Sequence, residues 1–128
     1  MKRPYDRRFA PAAPVLRVRA FRPSALASVD FDAKVDTGAD LCAIPAQVVE
    51  ALDLSAERSV RATGFGGPPQ EVPVYRIDVE LAGFRLSRLE AVATARSWAL
   101  LGRNALRHID VRLDGPREQL TVRNRSRG

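Results

Sequence analysis

The chain has a single cysteine, Cys42, so no disulfide can form within it and no disulfide framework holds it together. It has a single histidine, His108, so the usual Cys/His zinc site cannot be assembled from one copy. His108 also falls where the pattern reads as a helix end, which leaves no attractive Ser/His/Asp or Cys/His nucleophilic arrangement. No stretch approaches the roughly 20 apolar residues of a membrane span. Pro11 and Pro14 break the only apolar run behind the basic N-terminus, so no secretory h-region follows it. The expected location is the cytoplasm, with no membrane partner, no metal and no cofactor. Any chemistry has to come mainly from carboxylates.

What is present fits one domain. The 128 residues are 45% apolar and 28% charged, ordinary for a soluble globular chain able to bury a modest core. The net charge of +6 is confined to the ends. Lys2, Arg3, Arg7, Arg8, Arg123, Arg125 and Arg127 face only Asp6 there, and residues 9–122 balance to zero. A basic face for nucleic acid is therefore not indicated. Residues 1–14 read as a flexible basic arm, 15–122 as the folded domain and 123–128 as a basic tail, with both ends expected to be solvated.

Residues 15–21 alternate, with Leu16, Val18 and Ala20 on one side, and Val29, Phe31, Ala33 and Val35 resume the alternation after a turn at Arg22-Pro23-Ser24. Period two predicts a hairpin. Residues 41–44 read as a short apolar strand, and 45–52 as a short helix with Val48, Val49 and Leu52 on its buried face. Residues 58–62 are strand-like, and a glycine-rich tip at 63–67 and a returning strand from Val72 follow. Ala82-Gly83 is a second turn, residues 84–94 return, Trp98 to Gly102 is dense and apolar, and 103–108 reads as a short helix. Val111, Leu113, Leu120 and Val122 flank a turn at Asp114-Gly115-Pro116, a terminal hairpin. The expectation is an all-β class, mainly β with two short helices, without repeats.

Between two of these strands lies Asp36-Thr37-Gly38-Ala39-Asp40. An Asp-Thr-Gly tripeptide alone is far more often a turn than a site, because Asp starts turns and Gly accepts positive φ. Its company makes it more specific. The glycine-rich tip Gly64-Phe65-Gly66-Gly67 follows, and then Leu100-Leu101-Gly102-Arg103-Asn104. In this order and spacing the three motifs resemble those of the retroviral-type (retropepsin-like) aspartic proteases over roughly residues 15–122.

The resemblance implies an acid-protease fold with one lobe per chain, a C2 homodimer and an extended polypeptide substrate. Asp36, Thr37 and Gly38 would be catalytic. Two copies of Asp36 would share one proton across the dimer axis and activate a water, while Thr37 would bond across the dimer beneath them. Ala39, Asp40, Ile44, Gly64, Phe65, Gly66 and Gly67 would contact substrate, the last four as a covering flap. For Ile44 and Phe65, ordinary packing weighs equally. Leu100, Leu101, Gly102, Arg103 and Asn104 would support the site, with Asp40 and Arg103 as a buried structural ion pair. Cys42 reads as a small buried hydrophobe. Pro68 and Pro69 depart from the family pattern where a flap strand would return, since neither can donate to a ladder. The terminal hairpin departs from simple interleaved end strands. A second reading is therefore a protease-like dimeric scaffold or peptide-binding module with little turnover. Nucleic-acid binding through the tails ranks last.

Overall fold

In the computed structural model, residues 1–63 and 67–123 are described. The hairpins follow the alternation. β1 spans Lys2–Pro4, β2 Val15–Phe21, β3 Ser28–Val35 and β4 Cys42–Pro45. After helix α1 (Ala46–Ala51) come β5 (Arg58–Ala62), β6 (Gln70–Leu81), β7 (Phe84–Thr94) and β8 (Ala99–Leu101). Helix α2 (Arg103–Leu106), β9 (Asp110–Asp114) and β10 (Gln119–Arg123) complete the described chain. The mainly β class with two short helices holds. On β2, Leu16, Val18 and Ala20 are buried while Arg17 and Arg19 are exposed. The β6–β7 turn is a two-residue loop with both φ angles positive, +47° at Ala82 and +83° at Gly83, the geometry whose twist suits a tight hairpin.

The main sheet runs β2-β3-β8-β4-β7-β6-β5, and β2 also pairs with β6. Six strands therefore close on themselves, and β5 hangs outside on β6. Closure removes the unpaired strand edges that would otherwise template aggregation. The interior is filled by Leu16, Phe31, Ile44, Ile77, Val79 and Leu101 with their neighbours. Helix α1 has no side-chain cap and is too short to persist alone, so buried Val48 and Leu52 must hold it by packing.

One connection sets the rest. β3 and β4 are consecutive in the chain but lie on either side of β8, parallel to β3 and antiparallel to β4. The loop joining β3 to β4 must therefore pass over the end of β8, where the chain turns at Gly102 into α2. A Cβ on Gly102 would lie 2.5 Å from the carbonyl oxygen of Leu41 and 3.0 Å from that of Ala39. Those backbone atoms cannot swing aside as a side chain could, so only glycine fits.

The N-terminal residues correct the sequence expectation of a loose arm. β1 pairs with β10, and β10 with β9, in a second, three-stranded sheet. Leu120 and Val122 of that sheet are buried and join the main core. Beyond β1, Asp6 bridges to Ala13, and Arg8 reaches both Asp6 and Asp32 on β3. Phe9 stacks edge-on against Trp98, with ring centroids 5.1 Å apart. Proline and charge suggest a free arm locally, but β10, at the far end of the described chain, supplies the hydrogen bonds. Arg125 and Arg127 of the expected tail lie outside the described residues.

Several of these ties are acid-sensitive. The Arg8 guanidinium holds the Asp6 carboxyl down at about 2. Arg8 and then Arg17 lower Asp32, Arg19 lowers Asp30, and Arg58 lowers Glu90. A carboxyl whose folded pKa is depressed stabilises the fold above its unfolded value, about 3.9 for Asp and 4.3 for Glu, and stops doing so as pH falls through the folded value. These pairs lie at the surface, with the arginine side chains about half or more exposed, so each contributes little. The thermal midpoint is expected to stay level between about pH 7 and pH 5 and to fall below about pH 4. A steep loss already between pH 7 and 5 would show that other groups govern acid stability. Separately, Gly102→Ala is expected to cost about 1–3 kcal/mol or more in urea unfolding. Gly115→Ala, which meets nothing within 4 Å, should be close to neutral; equal effects would refute the close-approach argument.

Candidate active site

Along β3, Phe31 and Ala33 face the core, and Asp30, Asp32 and Lys34 face outward. Asp36 follows Lys34 by two and continues that outward row just past the strand. The backbone is pinned on both sides. The Val35 N–H donates to Pro14 O at 2.9 Å and the Asp36 N–H to Leu101 O at 3.1 Å. The loop then turns on its own side chain, because the Gly38 N–H donates to Asp36 Oδ1 at 2.9 Å and the Ala39 N–H to Asp36 O at 3.3 Å. A Cβ on Gly38 would come to 3.3 Å from that Oδ1, so a glycine leaves the carboxylate room. Asp36 is half-buried, Thr37 and Gly38 are exposed, and among the described residues Oδ2 has no hydrogen-bond partner.

The floor beneath the loop is α2. The Arg103 N–H donates to Ala39 O at 2.8 Å and the Asn104 N–H to Asp40 O at 3.2 Å. Arg103 Nη1 donates to Thr37 O at 2.8 Å, and its other terminal nitrogen pairs with the Asp40 carboxylate. The expected Asp40–Arg103 pair is present, but the Asp40 side chain is 83% exposed in this chain. Its position is a surface one, where such a pair contributes only about 0–1 kcal/mol. The more consequential bond is from Arg103 to the Thr37 carbonyl, which fixes the loop whatever the ion pair contributes.

Cys42 and Asn104 tie the far end of the loop. Asn104 Oδ1 accepts the Cys42 N–H at 3.0 Å and lies 3.3 Å from the Cys42 thiol, while Asn104 Nδ2 donates to Glu90 O at 2.8 Å. The Gly102 N–H reaches Cys42 Sγ at 3.4 Å. Burial pushes the Cys42 thiol up to about 11, so it is no thiolate near neutral pH.

The structure brings together Asp36, Thr37, Gly38, Ala39, Asp40, Leu101, Gly102, Arg103 and Asn104, with half-buried Leu100 beside them opposite Lys34. It places Ile44 in the core, 1% exposed, as packing and not as a wall. Gly67 is exposed with open space around it, and Gly64, Phe65 and Gly66 lie outside the described residues. Sequence reasoning missed the Asn104 bridge to Glu90 and the group formed by Phe9, Lys34 and Trp98. The signal for Lys34 was available, since it stands two positions before Asp36. Among the described residues no group of three His, Cys, Asp or Glu could hold a metal. Two of the best-formed concavities, one around Arg19 and Gly83 and one around Arg76 and His108, include no residue of the Asp36 loop.

A family profile described as aspartyl protease matches residues 24–106. Among solved structures, a retropepsin-like aspartic protease from Rickettsia conorii is similar at 18% identity and a TM-score of 0.68, over 95% of this chain and 88% of that one. The simian foamy virus (mac) protease is similar at 17% identity and a TM-score of 0.57, over 73% of this chain and 92% of that one. The retroviral protease-like domain of Ddi1 from Leishmania major is similar at 20% identity and a TM-score of 0.53, over 86% and 89%. No curated protein matches. At these identities the structural likeness establishes the fold, and the matched profile, which spans the Asp36 loop and its α2 floor, establishes the family. The chain belongs to the aspartyl protease family and has the retropepsin-like fold.

Proposed function

We propose that the protein is an aspartic endopeptidase whose active site is shared by two copies of the chain. One observation carries the reading: Asp36 is held by its backbone at the end of β3, with Oδ1 taking the Gly38 N–H and Oδ2 unpartnered among the described residues. A carboxylate so presented is suited to act on a water. Peptide hydrolysis at an aspartic site needs two such groups, and no second carboxylate bonds to Asp36 among the described residues. A C2 dimer supplies the second Asp36.

Two carboxyls about 3 Å apart cannot both ionise readily, so they hold one proton between them. The ionised member takes a proton from the water as its oxygen attacks the scissile carbonyl carbon. The protonated member donates to the developing oxyanion, and collapse returns a proton to the leaving amine. Thr37, exposed beside Asp36, would bond to its counterpart across the axis, and Gly64 to Gly67 would cover the extended peptide. Asp40 and Arg103, at the surface of the single chain, would be covered as the partner approaches.

The alternative of a binding module with little turnover drew its support from Pro68 and Pro69. Among the described residues the β5–β6 ladder ends at the Ala62–Gln70 pair, so both prolines stand outside the ladder described. That favours the enzymatic reading.

Digestion of a generic peptide library is expected to proceed best at mildly acidic pH and to vanish in Asp36→Asn, with sedimentation showing the dimer intact. Cleavage that survives the substitution would end the proposal, as would a chain that stays monomeric with a peptide inhibitor bound. Because the Cys42 thiol is buried and pushed up to about 11, iodoacetamide at neutral pH is expected to leave native activity unchanged. Rapid alkylation with loss of activity would point to thiol chemistry instead.

A further inference from the structure

The outward row of β3 carries a regular sequence of charges. Asp30 pairs with Arg19 on β2, and Asp32 with Arg17 on β2 and Arg8 in the N-terminal segment. At Lys34 the sign inverts and the pairing stops. Its cross-strand neighbours are Val15 and Leu100, both apolar. Among the described residues Lys34 has no carboxylate partner. It lies over two aromatic faces instead, 4.1 Å from the centroid of Phe9 and 5.6 Å from that of Trp98. Arg96 also lies over the Trp98 ring, 5.7 Å from its centroid. Trp98 Nε1 is buried with no hydrogen-bond partner among the described residues.

A cation over aromatic rings keeps its charge available while its stem is held, and the rings provide an apolar wall around it. Lys34 and Asp36 stand one strand repeat apart on one face, about 7 Å between their Cα atoms. An extended peptide with its scissile carbonyl at Asp36 has the same repeat. Where such a peptide runs along this row, one of its side chains next to the cleaved bond falls on the wall formed by Phe9, Lys34 and Trp98. A neutral side chain there would leave the ammonium without a counter-charge in a site the substrate has just dried. A carboxylate would complete it.

We propose that Lys34, backed by Phe9 and Trp98, is a specificity-determining residue that takes the carboxylate of an acidic substrate side chain adjoining the scissile bond. The inference rests on the endopeptidase reading for its position in a cleavage site, but binding tests it without turnover. Trp98 is the chain's only tryptophan, so its fluorescence reports this wall alone.

The experiment titrates full-length Asp36→Asn protein with a positional set of extended octapeptides in Glu/Gln-matched pairs. At one position the Glu peptide is expected to bind about tenfold more tightly than its Gln partner and to change the Trp98 emission. In the Lys34→Met, Asp36→Asn double variant that ratio should fall to about one, and in Lys34→Arg, Asp36→Asn it should be restored. Lys34→Glu should invert the preference toward a Lys-containing peptide. Equal affinities for Glu and Gln peptides at every position would overturn the proposal. So would an acidic preference that persists in Lys34→Met, binding that leaves Trp98 emission unmoved, or a preference for an aromatic side chain alone. Acidic binding at Lys34 by a chain whose native form cleaves nothing would uphold this site and defeat the endopeptidase reading, so the two failures are separate.

Discussion

The structure depends on one backbone-to-backbone approach. β8 lies between β3 and β4, so the loop that joins them has to cross its end, and Gly102 is where the crossing has no room for a side chain. Four backbone bonds and contacts follow from that geometry. Leu101 holds Asp36, the Arg103 N–H holds Ala39, the Asn104 N–H holds Asp40, and the Gly102 Cα sits against Leu41. The carboxylate is thus fixed mainly by main-chain atoms of β8 and α2, with the Arg103 side chain adding its bond to the Thr37 carbonyl. Positioning of this kind keeps reorganisation small when charge develops.

The same geometry leaves the Asp36 face open in one chain. Asp36 stands on the outward row of β3, Thr37 and Gly38 are exposed, and Asp40 meets Arg103 at the surface. Nothing described on the same chain closes over this face. A floor this rigid beneath a face this open suits the proposed completion by a second copy. The bonds that carry Asn104 to Cys42 and Glu90 brace the floor from behind, so load on the loop passes to β4 and β7 and not to solvent.

Local physics made much of this legible in the sequence. Alternation at Leu16, Val18, Phe31 and Ala33 marks two strands by period alone, and Ala82-Gly83 marks its hairpin. Asp36-Thr37-Gly38 and Leu101-Gly102 are recognisable because a turn and a close approach restrict residue choice. What was not legible depends on distant partners. β1 has two charged residues and a proline, and only its ladder with β10 makes it a strand. The Asp6–Arg8–Asp32 tie joins residues that no periodicity relates. Ile44 fits a wall as well as a core by composition, and only the sheet order shows it is enclosed. The register shift opposite Asp78, whose Oδ1 accepts the Arg88 N–H at 2.8 Å, has no sequence signature either.

The central claim is that Asp36 is half of a site. Co-refolding wild-type chains with Asp36→Asn chains at varied ratios, and measuring peptide cleavage at fixed total protein, tests it most directly. If both carboxylates are needed, activity follows the square of the wild-type fraction, about a quarter at equal mixing. Activity that falls in simple proportion, to about a half, would mean that each chain works alone and would contradict the account.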